Sequence, residues 1–123
     1  MKLPAVPESL RRIASVLEEF SAPSVAFSLE PKSEIQVGQS KLGGAPDLPK
    51  EFELKSGPAT IDFLLQINLA EASPFDQTES LPKSGLLSFF YDLKEQPWGY
   101  DPKQLNGFRI ALPPKKWTRV TWV

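Results

Sequence analysis

The chain has 123 residues, 14 of them basic and 15 acidic, with no histidine and no cysteine, a length suited to one domain. Without His or Cys it can hold no disulfide, no thiolate or imidazole zinc site, no Cys nucleophile and no Ser-His-Asp triad, which leaves oxygen-ligated Ca²⁺ or Mg²⁺ as the only reasonable metals. A net charge of -1 provides no broad positive field to collect phosphates, so nucleic-acid binding is not expected.

The N-terminus, Met1-Lys2-Leu3-Pro4-Ala5-Val6-Pro7-Glu8, lacks an apolar core and does not read as a signal peptide. Val6, Leu10, Ile13, Leu17 and Phe20 recur at alternating intervals of four and three, which predicts an amphipathic helix from about Pro7 to Phe20. Pro7 suits a first helical turn and Ser21-Ala22-Pro23 stops it. The apolar stripe is expected to pack on this protein's own sheet.

After Pro23 the period changes to two, with Val25, Phe27 and Leu29 alternating with small residues as in a strand with one buried face. Ile35 and Val37 suggest a further short extended piece. The run Ser40-Lys41-Leu42-Gly43-Gly44-Ala45-Pro46-Asp47-Leu48-Pro49 reads as a loop. Residues 60 to 69 give the clearest strand, with Ile61, Phe63, Leu65, Ile67 and Leu69 on one face and Asp62, Leu64, Gln66 and Asn68 on the other. Residues 71 to 80 are polar enough for a surface loop. A second strand, residues 86 to 93, sets Leu87, Phe89, Tyr91 and Leu93 on one face. Residues 108 to 112 and 117 to 123 complete the set. One helix followed mainly by strands argues α+β, because βαβ crossovers have no helices to use. The expected architecture is an N-terminal amphipathic helix packed on a mainly antiparallel sheet of about five to six strands, forming a single domain over 1–123.

Three constellations are candidates for chemistry. Adjacent glycines let backbone amides approach a ligand, so Gly43 and Gly44 with Ser40 and Lys41 form an anion-binding candidate. The spacing is not that of a P-loop, since Lys41 precedes the glycines, and the same residues also serve a stiff turn. Asp62, Gln66 and Asn68 lie on the polar face of the strongest strand and suit a pocket floor; a solvated sheet face is the plain alternative. Trp98 and Tyr100, in Pro97-Trp98-Gly99-Tyr100-Asp101-Pro102, suit an aromatic platform, although such loops also cap cores. Carboxylates are the remaining acid/base groups, with Asp92, Glu95 and Asp101 near that loop.

The Ser40 to Pro49 run, Ile61-Asp62-Phe63-Leu64-Leu65-Gln66-Ile67-Asn68-Leu69, Leu81 to Asp92 and Gln96-Pro97-Trp98-Gly99-Tyr100 together resemble the YwqG-like family, bacterial proteins of unassigned biochemical role. The resemblance covers about residues 35 to 102. It implies an α+β fold and an N-terminal portion of a longer protein, and it carries over no catalytic residue.

The ligand-binding candidates are therefore Ser40, Lys41, Gly43, Gly44, Asp62, Gln66, Trp98 and Tyr100. No catalytic residue, metal or cofactor is expected. The favoured function is a non-catalytic module binding a small molecule or a protein. An immunity-type interaction protein and a carboxylate-dependent hydrolase or isomerase stay open. Cytoplasmic location is the default, with no membrane and no nucleic-acid partner. The C-terminal strand, Trp117 to Val123, is apolar on both faces, so self-association through Trp117 and Trp122 is expected.

Overall fold

The computed structural model describes residues 5–50, 52, 61–99, 101–113 and 117–119. A 3₁₀ segment, Glu8–Ile13, runs into helix α1, Ala14–Glu19. Two short strands follow, β1 (Lys41–Leu42) and β2 (Asp47–Leu48). Strand β3 (Asp62–Asn68) leads directly into a single-turn helix α2 (Leu69–Ala72). Strands β4 (Leu86–Tyr91), β5 (Phe108–Ala111) and β6 (Thr118–Arg119) complete the order. The strands form a four-stranded sheet, β1-β3-β4-β5, and a two-stranded ribbon, β2-β6. Every pairing is antiparallel, and the fold is α+β.

The Gly-Gly run is not a plain loop. Lys41 and Leu42 pair with Gln66 and Leu65 at the sheet edge, and Asp47 and Leu48 pair with Arg119 and Thr118. Between them Gly43 and Gly44 both take φ near +76°, the left-handed region that a side chain disfavours. A Cβ at either would meet nothing within 4 Å, so backbone conformation, and not crowding, asks for glycine here.

Strict alternation along β3 fails because of a bulge. Phe63 pairs with Phe90 and Leu65 with Phe89, leaving Leu64 as the extra residue, and one extra residue swaps the faces beyond it. Phe63 and Gln66 therefore share the inner side of the sheet, whereas Leu65 and Ile67 face outward with Asp62. Register carries the outer side across the sheet as a row of Leu42, Leu65, Phe89 and Ile110. Tyr91 pairs with both Asp62 and Phe108 in a neighbouring row. The expected face of Leu87, Phe89 and Tyr91 exists, but it is the half-buried one; Leu86, Ser88 and Phe90 are buried.

The core lies on the inner side. Leu48 of the ribbon packs there with Phe90 and Ala111, joined by Phe52, Ile61 and Phe63, and the Phe63 and Phe90 rings meet edge to face at 5.7 Å. The ribbon thus covers the inner side of the larger sheet.

Two other expectations are corrected. Residues 25 to 29 form no strand; their alternation is strand-like, but among the described residues no strand pairs with them, and Phe27 and Leu29 are exposed. The N-terminal helical segment forms at its expected place, yet none of its residues is buried, and Phe20 is 79% exposed. Periodicity specifies an apolar stripe without specifying what meets it. Among the described residues, no helix is long and apolar enough to cross a membrane.

Candidate functional site

Asp47 organises the centre of the molecule. Its carboxylate is fully buried and accepts hydrogen bonds from the Gly38 amide at 2.9 Å and Gln66 Nε2 at 2.7 Å. Arg119 Nε donates at 3.0 Å with Nη2 at 3.5 Å, a two-pronged contact, and Lys41 Nζ approaches to 3.4 Å. Gln66 Oε1 in turn accepts from the Asp47 amide at 3.0 Å. Burial opposes the charged form, but the bonds from Arg119, Gly38 and Gln66 outweigh it and hold the carboxyl below its ordinary pKa. For Lys41 burial dominates over the attraction of Asp47 and lowers its pKa. Four donor residues around one carboxylate make a structural clasp that joins β1, β2, β3 and β6.

A second polar cluster joins the chain before β1 to the end of β3. Ser40 Oγ accepts from the Asn68 amide and donates to Glu71 Oε2, both at 2.8 Å. Asn68 Nδ2 donates to the Gly38 carbonyl at 2.8 Å, while its Oδ1 accepts from the Ala70 amide and caps α2. Gln66 Nε2 also donates to the Gln39 carbonyl at 2.8 Å.

Beside these clusters runs a groove of about 830 Å³. Leu42, Leu65 and Ile67 form its apolar floor on the outer side of β1 and β3, and Phe27, Leu29 and Pro31 line the opposite wall. Ser40, Glu71 and Lys32 add polar groups.

Of the residues singled out in the sequence, Ser40, Lys41 and Gln66 line this groove. Gly43 and Gly44 sit beyond it at the β1–β2 turn, where the Gly43 amide donates to the carbonyl of the bulge residue Leu64 at 2.7 Å. Asp62 lies at an exposed corner and accepts from the Leu93 amide. Trp98, 80% exposed, occupies a loop held by the Tyr91 hydroxyl, which donates to the Pro97 carbonyl at 2.6 Å. The structure does not bring Trp98 or Asp62 to the groove. Tyr100 lies outside the described residues, as does Trp122.

Two of the carboxylates weighed for acid/base chemistry are engaged by backbone amides. Asp92 is buried and caps the turn after β4 by accepting from the Lys94 and Glu95 amides, and Asp101 accepts from the Lys103 amide. Among the described residues no group of three or more His, Cys, Asp or Glu is placed to hold a metal. Nothing in the sequence pairs Asp47 with Arg119. They stand 72 residues apart, and no local pattern marks a pair made only by β2–β6 pairing.

A family model for a domain of unknown function, DUF1963, matches residues 40–122. The chain belongs to that family. No curated protein and no solved structure matches it. The DUF1963 match starts at Ser40 and takes in the six strands of the described residues and the floor of the groove, whereas the opposite wall, from Phe27 to Pro31, precedes it.

Proposed function

We propose that this DUF1963 chain is a YwqG-like, cytoplasmic, non-catalytic binding module whose ligand is an amphipathic small molecule seated in the groove. The observation that carries the reading is the pairing of an apolar floor, Leu42, Leu65 and Ile67, with polar groups at Ser40, Gln39 and Lys32. Its volume falls within the roughly 300 to 1,000 Å³ common for small-molecule sites. The engagement of Lys41 and Ser40 favours binding over catalysis: Lys41 is spent on Asp47, and Ser40 is held between Asn68 and Glu71. A serine so held and a lysine bonded to a buried carboxylate do not form a nucleophile and base pair.

A thermal-shift screen over medium-chain carboxylates, alcohols and amines tests the reading, with Leu42→Asp as the discriminating variant. Leu42 is exposed, so a charge there spoils the floor without entering the core. A compound that raises the wild-type Tm by several degrees and leaves Leu42→Asp unmoved is the expected result. Shifts of equal size in both proteins, or none in either, would sink the assignment.

A further inference from the structure

The outer side of the four-stranded sheet has two halves. Over β1 and β3 it is the floor of the groove; over β4 and β5 it carries Phe108, 39% exposed, and Ile110, 60% exposed, with Leu112 exposed just past the strand. At one end of this half the loop that Tyr91 holds through the Pro97 carbonyl presents Trp98, and Leu93 is exposed nearby in sequence. That loop is fixed from beneath as well, since Pro97 lies so close to Gly107 that a Cβ there would stand 2.2 Å from the proline ring. Large apolar side chains left exposed on one side of a sheet, with an exposed tryptophan at its end, are the composition of an interaction surface.

Charge points to the kind of partner. In these cross-strand rows the one charged side chain is Asp62, at a corner, already accepting from the Leu93 amide at 3.2 Å. A two-fold interface sets a surface against itself, which a charged face resists and an uncharged apolar one does not. Two such sheets can pack face to face at roughly 10 Å with interdigitating side chains. We propose that a second copy of this chain packs on the outer side of β4 and β5, centred on Phe108 and Ile110 and flanked by Trp98. The floor of the groove lies on the other half of the same side, over β1 and β3.

Sedimentation velocity of the whole chain from about 1 to 200 μM reads the association. The expected result is a concentration-dependent dimer that Ile110→Lys reduces to monomer at every concentration, with circular dichroism unchanged, and that Leu42→Asp leaves intact. The sequence has no cysteine, so Ile110→Cys introduces a unique thiol for a second measurement. Its labelling rate should fall several-fold across the same range, while that of Gln77→Cys, on an exposed turn, stays constant. A wild type monomeric throughout overturns the proposal, as does a labelling rate at position 110 that ignores concentration. Dimerisation that survives Ile110→Lys but is lost in Trp122→Glu would overturn it too, by placing the contact on the C-terminal strand.

Discussion

Asp47 ties four strands together through one buried carboxylate. Removing its carboxylate leaves the Gly38 amide, the Gln66 amide and the buried Lys41 ammonium without their acceptor. Asp47→Ala should therefore cost about 3 to 5 kcal/mol, the range for breaking a buried charge pair from one side, read as a lower urea midpoint. The acid limb of the stability curve follows from the same contacts. Because the folded pKa of Asp47 is depressed, its contribution is complete above the unfolded carboxyl pKa of about 3.9 and is lost as pH falls through the lower folded value. In Asp47→Asn that part of the acid dependence should disappear, and a wild-type slope retained below pH 4 would refute the assignment. Ser88 behaves in the opposite way. Its buried hydroxyl has no hydrogen-bond partner, so Ser88→Ala removes an unsatisfied group and should be neutral or stabilising by up to about 1 kcal/mol; a clear fall in Tm would reveal a partner.

Among the elements, β2 contributes most to the core for its length. Two residues suffice because Asp47 enters the clasp and Leu48, 2% exposed, enters the core beside Phe90 and Ala111. Leu48→Ala should cost about 2 to 4 kcal/mol, the usual cost of emptying a buried leucine site, and an unchanged denaturation midpoint would show that the ribbon does not hold the core. The loop before β5 offers a sharper steric test. A methyl group at Gly107 collides with Pro97, so Gly107→Ala should cost about 1 to 3 kcal/mol as the loop shifts to admit it. Displacement of that loop should register as a changed tryptophan emission, since Trp98 is the residue next to Pro97.

For the molecule as a whole, the N-terminal helix stands apart energetically. With no buried residue in Glu8–Ile13 or Ala14–Glu19, Val16→Glu should change the stability of the monomeric chain by less than about 0.5 kcal/mol. A larger loss in thermal denaturation would mean that the stripe is packed after all.

Sequence alone settled the features that rest on local chemistry. The four-three spacing from Val6 to Phe20 marks the helix, apolar patterning marks β3 and β4, residues 108 to 112 read as a strand, and Gly43-Gly44 marks a turn. Composition removed thiolate and imidazole chemistry without any reference to the fold. Tertiary structure decided what depends on partners. Residues 25 to 29 alternate like a strand and lack a ladder, while Lys41–Leu42 and Asp47–Leu48 read as loop and found one. Gln66 looked like the floor of a polar face; a single extra residue at Leu64 turned it inward to hold Asp47. The groove is legible only in part, because one wall comes from residues before Ser40 and its floor from strands that follow. Backbone propensity and side-chain period are properties of neighbours in the chain, whereas pairing, bulges and buried charge contacts are made between residues up to 72 positions apart, and no local pattern encodes them.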